Sequence, residues 1–435
     1  MGTELNKRYN KLIFLGIFMY FSLMFAKQIF NAEIIAIQEV FHTNATKTSL
    51  VTLIYYVVYA ISQMFLVLFI DKINLRVYLG VSLGISAMLT ILIGFVEKFG
   101  AELPFLFIVF GLNGVLQAGN YAGIVRIFNK YLNREKYMLA MKMISIAATV
   151  SLASSYAITS LFVAFSRWDI PFVITGALFA FSVALFVFGL KPTINDIKSL
   201  GHVEKEAPIK VENQEKVIRS KATVFSVIAF MVLVCIIGLF ANFLYYGLNN
   251  WFSKLIYDVY GVPKHYSILV SVGVSLLTAI ACTMAISYYN KSNKGHIVTV
   301  IGFAVLFVIA IIMSFTYEIN VVYAIFMCLA FICVIQGIKT PYTSVITYEV
   351  RDVIEPAKYS LVFNAMASIS AGCSPTAISL VFENYGWSTS FITLAIVALI
   401  MSVVVLAVRF FQVKMMRSFY EDKNQFNNSK IIGEV

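Results

Sequence analysis

Twelve apolar runs, each long enough to hold the roughly 20 residues a helix needs to cross the hydrocarbon core of a bilayer, recur along the 435-residue chain. They fall at 12–37, 50–70, 77–96, 104–127, 138–164, 169–190, 223–256, 265–288, 296–316, 321–347, 360–382 and 388–411. Nothing else in the sequence restricts the fold as much. Hydrocarbon offers the backbone no hydrogen bonds, so each run must satisfy its own N–H and C=O groups as a helix. Composition points the same way: 60% of residues are hydrophobic and 13% charged, against roughly 45–50% and 25% in soluble domains. The expected class is an all-α membrane protein of twelve transmembrane helices.

The charges set the orientation. An even number of spans leaves both termini on one side. With that side taken as cytoplasmic, 25 of the 33 lysines and arginines lie on it, five lie opposite (Lys47, Lys98, Arg167, Lys254, Lys264) and three lie within spans (Lys27, Lys142, Lys339). Cytoplasmic loops carry such an excess, so both termini are expected in the cytoplasm, and the composition is compatible with a bacterial inner membrane. The net charge of +11 is therefore a topology signal. It forms no long basic stripe interleaved with aromatics, and no nucleic-acid partner is expected. Cys235, Cys282, Cys328, Cys333 and Cys373 all sit in apolar runs without metal-ligand spacing, so neither disulfides nor metal are expected. The first apolar run has no small-residue cleavage site after it and reads as a retained span.

Residues 191–222 are the longest hydrophilic stretch, of mixed charge with two prolines, and read as a flexible linker. The expected organisation is a six-helix bundle at 1–190, the linker at 191–222, a second six-helix bundle at 223–411 and a cytoplasmic tail at 412–435. The two bundles echo each other. Trp168 and Phe172 match Trp387 and Phe391, and Asp71–Lys72 match Asn290–Lys291, at a shift of 219; Lys136–Tyr137 match Lys358–Tyr359 at a shift of 222. Small-residue patches at 145–155 and 365–374 also correspond; small residues let helix backbones approach closely. Two related six-helix halves joined by a long linker describe the major facilitator architecture, in which substrate binds at the midplane between the halves.

Several stretches resemble the organophosphate:phosphate antiporter family within that architecture. They are IFLGIFMYFSLMFAKQIF (13–30), DKINLRV (71–77), NGVLQAGNYAGIVR (113–126), YYGLNNW (245–251) and YGWSTSF (385–391). The resemblance implies phosphate held by one arginine from the first span and one from the seventh. This chain has Lys27 at the first of those positions and Tyr245 at the second. A lysine is a compact point charge and a tyrosine a neutral hydroxyl, so neither offers the planar fork of an arginine. A monoanion or carboxylate therefore stands beside a phosphate ester as a candidate cargo.

The residues themselves point to a polar path. Lys27 lies 16 residues beyond Lys11, about 24 Å along a helix, too deep for an interfacial anchor. A lysine at that depth faces a cavity or a partner; the bland alternative is pairing with Glu33 or snorkelling. Lys339, flanked by Gly337 and Pro341, reads either as a second cavity cation beside a helix break or as a lysine reaching the inner interface. Tyr245, Tyr246 and Asn249, with Asn242 and Asn250, make a polar stripe in the seventh span. Asn113, Gln117, Asn120 and Tyr121 make another in the fourth. Each stripe is interhelical glue or a cavity lining. Asp71, Lys72, Arg76, Arg126, Arg134, Glu135 and Lys142 gather at the inner ends of the first half and read as gating or positive-inside charges. All four histidines lie in loops or at helix ends, and Glu33 is the one acid well inside a span, so exchange or facilitated movement is expected over proton coupling.

No phosphate-binding loop, dinucleotide turn or nucleophile elbow occurs, which argues against ATP drive, a cofactor or an enzyme active site. The expected function is a monomeric carrier of a small organic anion by alternating access, an antiporter on the family resemblance. A membrane sensor of the same fold and a carrier of neutral solutes are the alternatives.

Overall fold

The computed structural model describes residues 2–69, 73–100, 102–200, 221–291, 295–350, 353–354 and 356–433. These form α1 (Gly2–Ala32), α2 (Ile34–Val40), α3 (Ala45–Phe69), α4 (Leu75–Ile93), α5 (Leu103–Gln117), α6 (Asn120–Tyr131), α7 (Arg134–Val163) and α8 (Asp169–Ser199). They continue as α9 (Lys221–Asn249), α10 (Phe252–Tyr260), α11 (Lys264–Lys291), α12 (Gly295–Thr316), α13 (Val321–Glu349) and α14 (Pro356–Gly433). There is no strand among the described residues.

Asparagines start several helices by accepting otherwise orphaned N–H groups. The Lys47 N–H donates to Asn44 Oδ1 at 2.9 Å before α3, and that of Lys136 to Asn133 Oδ1 at 2.9 Å before α7. The Val322 N–H donates to Asn320 Oδ1 at 2.8 Å as α13 begins. Eleven described helical stretches are long and apolar enough to span a membrane, and the last, Val362–Asp422, has 61 residues. At 1.5 Å per residue that is roughly 92 Å, far more than one crossing of a core about 30 Å thick. Gly386, with φ 83° and ψ 170°, interrupts it, a conformation that glycine alone adopts without strain. Trp387 stacks on Phe382 across the break at 4.2 Å between ring centroids. The count is therefore twelve spans, as expected.

The surface is apolar and the interior carries hydroxyls: Phe188 and Phe315 are 75% and 81% exposed, whereas Ser86, Ser155, Thr159 and Thr175 are fully buried. Lipid, not water, is the solvent this pattern suits.

Helix boundaries depart from the apolar runs in several places. α8 continues past 190 to Ser199, so the first residues of the expected linker are helical; 201–220 lie outside the described residues. The tail from 412 is helical as far as Gly433. α13 runs unbroken through Pro341, where the sequence suggested a break or a bend; a proline removes one helical hydrogen bond, a loss a membrane helix tolerates. Three other helices are interrupted instead: the first span at Glu33, the fourth at Ala118–Gly119 and the seventh at Asn250–Trp251.

The chain divides into two compact units, Met1–Pro208 with Asn250–Ala279, and Ile209–Asn249 with Ile280–Val435. In the first unit α1 packs on α7 and α8, α4 on α8, and α3 on α5. The α3–α5 contact is backbone to backbone: a Cβ on Gly114 would stand 2.6 Å from the Tyr55 carbonyl oxygen and 3.2 Å from the Tyr59 nitrogen. At the end of this unit away from the N-terminus, Lys264 pairs with Glu39, and the Ser160 hydroxyl donates to the His265 carbonyl at 2.7 Å. There the Trp168 indole donates to Glu97 Oε2 at 3.0 Å. In the second unit α9 and α12 pack on α14, and α13 on α9 and α12.

Candidate functional site

The helix interruptions and the close α3–α5 contact place polar side chains around one narrow cavity inside the first unit. α1 contributes Lys27, Phe30 and Asn31; α3 contributes Thr52, Tyr55 and Tyr56; α4 contributes Thr90; α5 contributes Phe110, Asn113 and Gln117; Phe172 of α8 closes it.

Lys27 is held in an unusual way. Its Nζ stands 4.9, 4.6 and 4.8 Å from the ring centroids of Tyr55, Tyr56 and Tyr59. Ring faces are electron-rich and attract a cation without neutralising it. No carboxylate pairs with Lys27 among the described residues. The suggested partner Glu33 lies further along, at the joint with α2, and does not reach it.

A chain of hydrogen bonds fixes the opposite wall. The Tyr55 hydroxyl donates to Gln117 Oε1 at 2.6 Å, Gln117 Nε2 donates to Ser86 Oγ at 2.9 Å, and Ser86 donates to Asn113 Oδ1 at 2.7 Å. Each acceptor orients the next donor, so the amides are held in one arrangement. Asn31 Nδ2 donates to Gln28 Oε1 at 3.2 Å. The cavity thus combines one amine, fixed amides and hydroxyls, and aromatic walls.

The fourth-span stripe divides at the helix interruption. Asn113 and Gln117 line the cavity. Asn120, first residue of α6, is buried with neither side-chain polar atom bonded among the described residues. Tyr121 packs on Tyr20 at 6.2 Å. Neither Asn120 nor Tyr121 lines the cavity.

The second unit repeats the chemistry around Lys339. Its Nζ lies 3.6 Å from the Tyr245 ring centroid and 5.3 Å from that of Tyr246, and donates to Asn242 Oδ1 at 3.1 Å. Asn242 Nδ2 in turn donates to the Gly238 carbonyl at 2.7 Å. Asn249 is buried at the last turn of α9. Lys339 is thus gathered with the seventh-span stripe.

The inner charges are more dispersed. Asp71 and Lys72 lie outside the described residues. Arg76 Nε donates to the Val187 carbonyl at 2.7 Å, tying α4 to α8. Arg126 is half-buried on α6, Arg134 opens α7, and Glu135 and Lys142 are exposed on it without an ion pair among the described residues.

Sequence reasoning missed Tyr55, Tyr56, Tyr59, Asn31, Thr52 and Thr90. The signal was present: tyrosines are enriched at membrane interfaces, and three of them in the middle of a span, at i, i+1 and i+4, are out of place there.

The Major Facilitator Superfamily family model matches residues 16–358. The chain belongs to this superfamily of transporters. No curated protein matches it. Among solved structures, a bacterial homologue of the human lysosomal transporter Spinster, inward-facing and occupied, is similar with a TM-score of 0.66 at 14% identity, over 95% of this chain and 98% of that one. The nucleoside transporter NupG is similar with a TM-score of 0.63 at 13% identity, over 92% of this chain and 98% of that one. At that identity the likeness speaks for the fold, which is the expected one: an all-α membrane protein of twelve spans with major facilitator architecture.

Proposed function

We propose that this facilitator carries a small organic anion, a carboxylate or a phosphate ester, by alternating access between two six-helix halves with both termini in the cytoplasm. One observation carries the reading. Lys27 lines an internal cavity with no carboxylate opposite it among the described residues, in a setting where an uncompensated charge is costly and marks a binding path. The fixed amides Asn113 and Gln117 supply uncharged donors and acceptors to orient the cargo, and the aromatic walls suit its carbon skeleton. Lys339, held on Tyr245 and Tyr246, would supply the corresponding charge in the second unit. The excess of lysine and arginine on one side supports cytoplasmic termini, as in a bacterial inner membrane.

The test is uptake and exchange in reconstituted vesicles with glycerol 3-phosphate, inorganic phosphate, and mono- and dicarboxylates. At least one anion is expected to move, and Lys27→Met to abolish its transport while Lys27→Arg retains part of it. Movement of a neutral solute such as a nucleoside, with every anion inert, would reject the reading.

A further inference from the structure

The polar wall of the Lys27 cavity has a direction. A hydroxyl has one hydrogen to give, and a primary amide has two N–H groups beside its oxygen. Tyr55 gives its hydrogen to Gln117 Oε1, Gln117 Nε2 gives one to Ser86 Oγ, and Ser86 gives its own to Asn113 Oδ1. Thr52 Oγ1 likewise donates to Asn31 Oδ1, at 3.5 Å. All three amide oxygens of the cavity lining are therefore already accepting. A donor remains at the end of the relay: Asn113 Nδ2 has no acceptor among the described residues, and Gln117 Nε2 keeps a second N–H. Both side chains are only 3% exposed, so bulk water does not satisfy these groups, and a buried hydrogen bond left unmade is costly. With the Lys27 amine added, the unused capacity of the wall is predominantly donor capacity.

The apolar part of the lining is aromatic. Phe30, Tyr55, Tyr56, Phe110 and Phe172 supply rings, against Ala26 and Ile93 as the aliphatic members. The rings are inclined to one another in a series: Phe30 and Phe110 at 4.5 Å and 58°, Phe110 and Tyr55 at 6.4 Å and 74°, Tyr55 and Tyr56 at 5.0 Å and 87°. The series ends on the tyrosines that hold Lys27. Inclined rings offer a flat ligand both a face and an edge, and such ring pairs contribute beyond the area they bury. An aliphatic chain in the same place gains the burial alone.

We propose that the cargo is an aromatic carboxylate, an unsaturated ring bearing the acid and no hydroxyls. The proposal rests on the anion reading above and narrows it. An ionised carboxylate accepts hydrogen bonds and donates none, which matches the Lys27 amine and the Asn113 amide nitrogen. Its ring extends the inclined series of Phe30 and Phe110. A glycerol or sugar phosphate brings hydroxyl hydrogens instead, each in need of an acceptor where the amide oxygens are taken. Asn113 thus selects against hydroxyl-rich anions, and Phe110 selects for the ring.

Thermal unfolding of the purified full-length protein tests this, because a ligand that binds the native state raises Tm as its concentration rises. The probes are benzoate, cyclohexanecarboxylate and glycerol 3-phosphate. The first two share their carbon count and charge and differ in the ring. Benzoate should raise Tm at a concentration about two- to tenfold lower than cyclohexanecarboxylate does. Phe110→Leu, which keeps an apolar side chain without a ring, should bring the two concentrations together; Phe30→Leu is the second variant should the first not fold. Equal concentrations for the two acids in the wild type, or a preference undiminished in the leucine variants, would overturn the proposal. So would a benzoate that leaves Tm unmoved. If glycerol 3-phosphate then raises Tm, the anion reading stands without the ring; if no anion moves in the vesicle panel either, both fall.

Discussion

A lysine resting on tyrosine faces differs physically from one in a salt bridge. A carboxylate would neutralise the charge and hold it; ring faces attract it and leave it available. The three tyrosines of α3 do this while one of them, Tyr55, also anchors the amide wall through Gln117. These two roles are separable. Tyr55→Phe keeps the ring and strands the buried Gln117 oxygen, at a cost of about 1–2 kcal/mol, roughly five- to thirty-fold in apparent affinity for the transported anion. Tyr55→Ala removes ring and hydroxyl together and should weaken uptake further. Equal losses in the two variants, measured as apparent KM in vesicles, would show that the ring face contributes nothing. At this scale the lysines were legible because a charge inside an apolar run is conspicuous. Tyr55, Tyr56 and Tyr59 were not, since a tyrosine in a membrane span draws no notice until its neighbour is known.

Among the helices, position in the cavity is set by close approach and interruption. Gly114 lets α5 lie against the α3 backbone at Tyr55 and Tyr59, so the same contact that packs the helices also sets the tyrosines. Gly114→Ala forces the backbones apart and should cost about 1–3 kcal/mol, seen as a lowered Tm in detergent and as reduced uptake. Gly84→Ala is the control, because a Cβ there meets nothing within 4 Å; alanine is the better helix former, so its Tm should not fall. Of the three interruptions, only Ala118–Gly119 includes a residue that weakens a helix by itself. Glu33 and Asn250–Trp251 are ordinary helix residues locally, and tertiary packing bends the chain there. Conversely, α13 continues through Pro341, since membrane helices tolerate proline.

For the molecule as a whole, the twelve spans were readable because lipid imposes one length on all of them, and Gly386 accounts for the one place where two spans run together. The helical extension of α8 to Ser199 was hidden in its hydrophilic composition: outside the bilayer a helix needs only local partners, and Arg8 reaches Asp196 at 3.1 Å to provide one. The pair of Glu39 with Lys264 likewise joins residues 225 apart in sequence, a separation no local pattern reveals. Both side chains are partly exposed, at 45% and 31%, so the pair should contribute roughly 0.2–1 kcal/mol. Glu39→Lys should lower Tm slightly and change the transport rate, and the reversed pair Glu39→Lys with Lys264→Glu should restore both. Failure of the double variant to recover either quantity would remove the pair from any role in holding that end of the first unit together.

The tryptophans have a practical consequence. The chain has three: Trp168 at the start of α8, Trp251 between α9 and α10, and Trp387 beside Gly386. Each sits at a helix start or interruption, and none lines the cavity around Lys27. Intrinsic fluorescence excited at the indole band is consequently a native optical reporter of those three joints, with no dye or engineered label required.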